Sequence, residues 1–365
     1  METLDHNVYC IIMAGGVGRR FWPLSSEEHP KQFIDLLGVG ESMIHRTFRR
    51  CSNICPRENI YIVTSADYVT LMHEQIPDLS DEQILCEPMR RNTAPCVAYA
   101  ASVIARRNPN AVVFVTPSDH FIFGWTGYIA DIRQVIAIAR SHPWIITFGA
   151  QPTNPNTKYG YIQAGDHPST SGIDNLYKVE TFTEKPPREV ACQFIESGEF
   201  YWNVGLFVWH IDVLLAAYWR YLPAVADSFF SLEANSTPEE LAAVYAQCES
   251  ISVDKGIMEK SDNVYVMKAS FGWSDVETWD SLYNTCRKDG DGNAFVSGNV
   301  FAYDVRNTVV HIPSHQTVVL QGLDGYVVTS RGDTLMICRR DQEERTVKFI
   351  SDFEMRKSLP EEGEK

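Results

Sequence analysis

Continuous apolar runs alternate with amphipathic helical stretches over roughly the first 150 residues, and this alternation constrains the fold more than any other feature. The runs VYCIIMAG, NIYIVTS, AVVFVTPSD and WIITFGA are separated by predicted helices, two of them at about 94–107 and 127–140. Uninterrupted apolar runs of this kind are typical of parallel strands covered by helices on both faces. The sequence therefore predicts an α/β fold. Because such sheets bind ligands beyond the carboxyl ends of their strands, the residues after each run are candidate site residues.

The pattern changes twice along the rest of the chain. From about residue 150 it becomes mixed α+β, and a predicted linker, RKDGDGNA, follows a helical stretch that starts near Asp275 and ends near Cys286. Beyond the linker, short runs such as NTVVHIPS and GYVVTS alternate with turn residues, which indicates a small β-domain; a solenoid of the left-handed β-helix type is one arrangement it allows. We expect a catalytic domain over residues 1–287, a C-terminal β-domain over 288–365, and disorder in the tail LPEEGEK.

Charge and hydropathy exclude several classes of protein. The formal net charge of −15 is opposite to the basic patch that nucleic-acid binders carry. The N-terminus METLDHNVYC predicts no signal peptide, and the most apolar later segment is interrupted by His210 and Asp212, too early for a membrane span. The nine scattered cysteines are expected to be reduced core residues. We therefore expect a cytoplasmic protein with no nucleic-acid partner and no membrane partner.

The stretch IIMAGGVGRRFWPL ends an apolar run in three glycines and two arginines. It lacks the G-x-G-x-x-G spacing of dinucleotide-binding folds and the closing Gly-Lys-Ser/Thr of a Walker A loop. Residues without a Cβ let backbone N–H groups approach phosphate oxygens, and a fixed cation neutralises the phosphate charge. The loop, with Gly15, Gly16, Gly18 and Arg20, is therefore expected to bind phosphate.

Seven further segments follow the loop in order: HPKQF, EPMRRNTAP, PSDH, YGYI, TFTEKP, YWNVG and WSDVETW. The eight together resemble the sugar-nucleotide pyrophosphorylases, and among these the guanylyltransferases that act on mannose 1-phosphate. The resemblance extends from about residue 11 to 280. It implies a Rossmann-like nucleotidyltransferase domain with a mostly parallel, mixed sheet. It also implies a Mg²⁺-dependent reaction in which GTP and mannose 1-phosphate give GDP-mannose and pyrophosphate.

This chemistry explains why no Ser-His-Asp or Cys-His arrangement is evident. A phosphate monoester has its second pKa near 6, so a sugar phosphate is mostly a dianion at about pH 7 and needs no general base. The obstacle is repulsion between this dianion and a triphosphate, which cations and a metal ion reduce.

The resemblance implies a role for individual residues. For the nucleotide, Gly15, Gly16 and Gly18 cradle the triphosphate, Arg20 and Lys31 hold its β- and γ-phosphates, and Glu87, Asn92, Thr93 and Ala94 belong to the guanine-reading segment. Asp119, beside the nucleotide, and Asp275 are the implied Mg²⁺ ligands. For the sugar phosphate, Lys185 holds the phosphate, Glu184 binds hydroxyls, and Gly160 and Asn203 complete the pocket. We expect His120 to have a structural role. For Arg90 and Arg91 two interpretations stay open: they lie on a solvated face, or they contact the nucleotide.

Some positions depart from the family pattern. Val204 and Glu277 stand where a small residue is usual, which adds bulk on the sugar side, and Lys255 and Gly256 also differ and are assigned no role. Two alternatives follow: a guanylyltransferase for another sugar 1-phosphate, or a non-catalytic homologue that senses nucleotide sugars. A homodimer is left open.

Overall fold

The computed structural model describes residues 4–168, 174–234 and 236–357. The predicted disordered tail, LPEEGEK, lies outside these residues. The strands are β1 (Val8–Met13), β2 (Ile60–Ser65), β3 (Ile84–Glu87), β4 (Val112–Pro117), β5 (Phe121–Phe123), β6 (Ile145–Ala150), β7 (Gly160–Pro168), β8 (Leu176–Glu184), β9 (Phe200–His210), β10 (Val264–Lys268), β11 (Gly272–Ser274), β12 (Ala294–Ser297), β13 (Asn299–Tyr303), β14 (Val309–His311), β15 (Thr317–Gln321), β16 (Tyr326–Arg331) and β17 (Thr334–Arg339). The α-helices are α1 (Met43–Cys51), α2 (Val69–Gln75), α3 (Thr93–Arg107), α4 (Trp125–Ser141), α5 (Arg188–Ser197), α6 (Ile211–Tyr221), α7 (Pro223–Phe230), α8 (Pro238–Gln247), α9 (Trp279–Thr285) and α10 (Thr346–Lys357).

The chain divides into two compact units that interleave in sequence. Unit 1 contains the described residues of Met1–Gly15, Thr47–Ser118 and Ile122–Trp273, and unit 2 those of Gly16–Arg46, Asp119–Phe121 and Ser274–Lys365. The expected domain boundary between residues 287 and 288 stays a prediction.

Unit 1 is built on a nine-stranded sheet in the order β3-β2-β1-β4-β9-β6-β10-β8-β7. The pairs β3–β2, β2–β1, β1–β4 and β6–β10 are parallel, while β9 runs antiparallel to β4, β6 and β7, and β8 is antiparallel to β10 and β7. The predicted α/β class with a mixed sheet is confirmed.

The apolar runs of the sequence become the central strands because helices cover both of their faces. β1 is buried over its first five residues, and its register aligns Cys10 with Ile60 of β2 and with Phe114 of β4. One core cluster packs side chains of the sheet against α3, α6 and α7. This burial fixes the carboxyl ends of the parallel strands, and Glu87 is the last residue of β3.

Unit 2 contains the C-terminal strands as two small sheets. β12, β14 and β16 pair in parallel, β17 closes that sheet antiparallel to β16, and β13 pairs in parallel with β15. Val309 lies beside Val327, and Asn299 beside Thr317, so the partners in these two strand pairs are 18 positions apart, while Ala294 of β12 lies beside Val309 at an offset of 15. Parallel strands that pair at offsets of about 15 to 18 residues have the pairing of a β-solenoid, which agrees with the expected small β-domain.

The apolar core of unit 2 joins distant parts of the sequence. Phe21 and Leu24, which follow the glycine loop, belong to one buried cluster with Trp279 of α9 and with Val309 and Cys338 of the C-terminal strands. Phe21 and Trp279 make an edge contact with ring centroids 5.1 Å apart. The loop is therefore anchored by residues that come late in the chain.

Two sequence-based expectations concern membranes and thiols. Within the described residues, every helix is too short or too polar to cross a lipid bilayer. Each of the nine cysteines has a free thiol; Cys10, Cys51 and Cys55 are among the six that are buried, and burial raises the pKa of the Cys10 and Cys55 thiols.

Candidate active site

The glycine loop packs against the segment that carries Lys31. Gly18 has a φ of 49°, in the left-handed region, and a Cβ placed on it would lie 2.3 Å from the Cβ of Lys31. The neighbouring Gln32 donates a hydrogen bond from Nε2 to the carbonyl of Gly16 at 2.9 Å. Position 18 therefore requires glycine, both for its backbone conformation and for the approach of Lys31.

Lys31 is the centre of a charged cluster in unit 2. Its side chain is 4% exposed, and its Nζ lies 2.9 Å from Oδ2 of Asp119 and donates to the backbone carbonyl of Asp275 at 2.7 Å. Burial would raise the pKa of the Asp119 carboxyl, but the charges of Lys31 and His120 hold that pKa below its ordinary value. The two aspartates that the sequence assigns to a metal ion thus lie beside one ammonium group.

The donor set of this cluster fits Mg²⁺ bound together with a substrate. Among the described residues, no group of three or more His, Cys, Asp or Glu side chains is placed to form a metal site by itself. Mg²⁺ in phosphate-transfer sites is commonly held by one or two carboxylates, with phosphate oxygens and waters completing its shell. Asp119 and the 8% exposed Asp275 can supply that pair of carboxylates.

Arg20 is held at the surface of unit 2 by Glu277. Its Nη1 contacts Oε2 of Glu277, and the two side chains are 52% and 37% exposed. The expected helix from Asp275 begins only at Trp279, because Val276 has a φ of 40° and Thr278 caps the helix by accepting from the Ser281 N–H at 3.1 Å. Asp275 and Glu277 therefore belong to a turn before α9, not to the helix.

The segment expected to read the base lies in unit 1 at the end of β3. Glu87 is 7% exposed, and its Oε1 accepts a hydrogen bond from the Tyr245 hydroxyl at 3.2 Å. Burial raises the pKa of Glu87 to about 7, although the Tyr245 hydrogen bond and the charge of Arg90 act in the opposite direction. A Cβ on Gly15 would lie 3.0 Å from Oε2 of Glu87, so Gly15 allows the loop to pass close to this carboxyl.

The residues that follow Glu87 are engaged in structural contacts. Arg90 donates to the Gly15 carbonyl and the Tyr68 hydroxyl, each at 3.0 Å, and Arg91 donates to two carbonyls of α8. Asn92 caps α3 by accepting from the Thr93 N–H at 2.8 Å, and Thr93 Oγ1 accepts from the Val253 N–H at 2.9 Å. Ala94 is fully buried. A guanine-reading role for Asn92, Thr93 and Ala94 stays a prediction.

The expected sugar residues are brought together on three adjacent strands of unit 1. Gly160 of β7 pairs with Glu184 of β8, and a Cβ on Gly160 would lie 3.2 Å from the Cβ of Asn203 on β9. Lys185 follows with a φ of 50°, and its Nζ lies 3.3 Å from Oε1 of Glu184. The Lys185 side chain is 62% exposed, so its ammonium is available to a ligand.

Asn203 uses its amide to organise this cluster. Its Oδ1 accepts from Thr147 Oγ1 at 3.0 Å and from the Gly205 N–H at 3.1 Å, and its Nδ2 donates to Asp254 Oδ1 at 2.7 Å. Burial, together with the charge of Glu184, raises the pKa of Asp254 to about 7. Asn203 thus orients a carboxyl group that the sequence analysis missed.

A short segment before and within the π-helix Asp254–Met258 links the base and sugar residues inside unit 1. Ser252 donates to Oε2 of Glu184 at 2.7 Å, while the next residue, Val253, donates its N–H to Thr93. Glu259 accepts from the Glu184 N–H at 2.9 Å. In the sequence, Ser252 and Asp254 alternate with Ile251 and Val253, and this alternation does not distinguish a ligand site from an ordinary segment with one face in solvent.

Comparison with known proteins decides the family. The family model for nucleotidyl transferases matches residues 9–292, more than half of the chain. The chain belongs to the nucleotidyl transferase family.

Two of three proteins that are similar to this nucleotidyltransferase have mannose 1-phosphate in their names. It is 34% identical over 350 residues to the mannose-1-phosphate guanylyltransferase of Sinorhizobium fredii, covering 93% of this chain and 67% of that protein. It is 33% identical over 353 residues to the xanthan biosynthesis protein XanB of Xanthomonas campestris, covering 94% and 73%. A crystal structure from Thermus thermophilus, described as a mannose-1-phosphate geranyltransferase, matches with a TM-score of 0.86 and 29% identity over 95% of this chain and 99% of that one.

These matches confirm the resemblance, the nucleotidyltransferase fold and the enzyme class that the motifs indicate. They also support a reaction of nucleotide-sugar biosynthesis that uses a nucleoside triphosphate and a sugar phosphate. The roles of individual site residues stay predictions.

Proposed function

We propose that this nucleotidyltransferase transfers GMP from GTP to mannose 1-phosphate and releases pyrophosphate. An oxygen of the sugar phosphate attacks the α-phosphorus of GTP, a new P–O bond forms, and the bond from the α-phosphorus to the bridging oxygen of the β-phosphate breaks. The buried Lys31 ammonium, held beside Asp119 and Asp275 next to the glycine loop, is the observation that carries the proposal. The names of the relatives favour GTP and mannose 1-phosphate as the pair.

In this proposal the residues of unit 2 bind the triphosphate. Gly16 and Gly18 present backbone N–H groups, and Lys31 and Arg20 neutralise the β- and γ-phosphates. Asp119 and Asp275 would hold Mg²⁺, which when bound offsets the negative charge of the phosphates. Because Lys31 is already paired and buried, its ammonium is fixed before substrate arrives, and fixed charges stabilise a transition state more than mobile ones.

The residues of unit 1 would select the base and the sugar. Glu87 would accept hydrogen bonds from the guanine edge, and Gly15 keeps the loop close to its carboxyl. Lys185 would bind the phosphate of the sugar and Glu184 its hydroxyls. Asn203 would position Asp254 through one N–H of its amide, and the second N–H of Nδ2 would contact the sugar.

A matrix assay tests the proposal. Pyrophosphate release is measured for GTP, ATP, UTP and dTTP, each with mannose 1-phosphate, glucose 1-phosphate and galactose 1-phosphate, and the nucleotide sugar is identified by chromatography. GTP with mannose 1-phosphate should be the best pair, because adenine leaves buried polar groups unpaired at a cost of about 1–3 kcal/mol each. Equal rates with ATP would refute the base assignment, and binding without turnover of any pair would indicate a sensor.

Lys185→Ala tests the sugar side, with Lys178→Ala on β8 as a matched control. Loss of a charge-assisted contact costs roughly 1.5–3 kcal/mol, so KM for mannose 1-phosphate should rise about 10-fold or more while KM for GTP stays near the wild-type value. A rise in KM for GTP alone would contradict the assigned role.

A further inference from the structure

Two cations of unit 2 are expected to bind the triphosphate, and they differ in their exposure to solvent. Lys31 is buried, with its partners close around it, whereas the exposed Arg20 contacts the exposed Glu277. The Glu277 carboxylate thus occupies part of the guanidinium that the proposed function assigns to phosphate.

The residues around Arg20 and Lys31 carry more negative than positive charge. Arg20 and Lys31 bring two positive charges, while Asp119, Asp275 and Glu277 bring three negative ones. Asp119 already neutralises Lys31, and Glu277 neutralises Arg20. An arriving triphosphate therefore competes with a carboxylate for Nη1 of Arg20, and a departing pyrophosphate leaves that donor to the carboxylate.

We propose that Glu277 is a built-in competitor for Arg20 that lowers the affinity of the site for the triphosphate and for pyrophosphate. Carboxylate and phosphate oxygens accept from the same kind of guanidinium N–H, so Glu277 on Nη1 competes with a phosphate oxygen for that donor and offsets part of the positive charge. Glu277 releases Arg20 when the triphosphate binds and takes it back when pyrophosphate leaves. The inference rests on the proposed function, since it needs a polyphosphate ligand at Arg20.

Glu277→Gln tests this inference, because it keeps the size of the side chain and removes its charge. The Kd of pyrophosphate is measured by calorimetry at fixed Mg²⁺, and KM values are measured for both substrates. Exposed ion pairs are weak, so we expect the Kd of pyrophosphate and the KM of GTP to fall about two- to fivefold. The KM of mannose 1-phosphate should not change.

Two controls isolate the pair. Asp280→Asn removes a charge from α9, but Asp280 pairs with Arg340 at 3.2 Å, so the Kd of pyrophosphate should stay at the wild-type value. In an Arg20→Ala background, Glu277→Gln should lose most of its effect, because the guanidinium for which the carboxylate and the phosphate compete is missing. This double-mutant cycle measures the coupling between the two residues.

Other outcomes overturn the inference. An unchanged Kd for pyrophosphate would show that Glu277 does not compete. Weaker pyrophosphate binding or a higher Mg²⁺ requirement in Glu277→Gln would show that the carboxylate positions Arg20 or ligates the metal. If the wild type makes no sugar nucleotide yet Glu277→Gln still tightens pyrophosphate binding through Arg20, the proposed function fails and the competitor role stands.

Discussion

Gly18→Ala is the substitution for which the structure gives the most definite expectation. The residue has a φ of 49°, and the left-handed conformation costs a residue with a Cβ about 1–2 kcal/mol. The new Cβ would also lie 2.3 Å from the Cβ and 3.2 Å from the backbone N of Lys31, which is rigid and buried. Overpacking of that kind costs about 1–3 kcal/mol, so unit 2 should lose about 2–5 kcal/mol of stability in total.

Gly16→Ala is the matched control in the same loop. Among the described residues beyond its two chain neighbours, no heavy atom lies within 4 Å of a Cβ at this position, and its φ is not positive. The change should be within about 0.5 kcal/mol of the wild type. Both glycines are expected near phosphate, so loss of activity alone does not distinguish them, whereas stability does.

Hydrogen exchange measured by mass spectrometry is the suitable assay, because a chain with two units need not unfold in one step and exchange reads each region separately. Peptides from residues 16–46 should exchange faster in Gly18→Ala and normally in Gly16→Ala. Equal protection in the two variants would refute the reasoning, because it would mean that Lys31 can move away from the loop at little cost.

Two further predictions concern ionisable groups. Because the folded-state pKa of Glu87 is raised to about 7, its contribution to stability is complete below its ordinary pKa of 4.5 and is lost as the pH rises towards 7. Glu87→Gln does not ionise, so relative to the wild type the free energy of unfolding of unit 1 should increase by about 2–3 kcal/mol between pH 5 and pH 8, measured by hydrogen exchange of peptides from unit 1; a constant difference would disprove the raised pKa. Asp119→Asn should raise the Mg²⁺ requirement, lower turnover by orders of magnitude and cost about 1–3 kcal/mol, because Lys31 loses its carboxylate partner. Asp275→Asn should also raise the Mg²⁺ requirement and lower turnover, while the bond from Lys31 to the backbone carbonyl of residue 275 stays in place; an unchanged Mg²⁺ requirement would contradict its assignment as a ligand.

Local patterns were enough to predict the sheet and the position of its loops. Apolar runs such as VYCIIM and VVFVTP are buried strands, as their composition indicates, and Gly18 has the backbone conformation that only glycine adopts easily. These features depend on a few neighbouring residues, so the sequence contains them directly.

Contacts between distant positions could not be predicted in the same way. Lys31 and Asp119 were assigned to different ligands, yet in the structure they neutralise each other. Asp254 received no role, although it pairs with Asn203 and is held with the pKa of its carboxyl raised to about 7. Both interactions depend on how far-apart segments pack, and no motif spacing encodes that packing.

Because the chain is synthesised from its N-terminus, the core of unit 2 is completed only late in translation. Phe21 leaves the ribosome early, whereas Val309, Val327 and Cys338, which belong to the same buried cluster, follow about 300 residues later. At roughly 5–20 residues per second, the side chains beneath the glycine loop stay without their partners for about 15–60 s during translation. The signature loop comes first in the sequence but is among the last parts of the chain to reach its native environment, and chaperones have that interval in which to bind it.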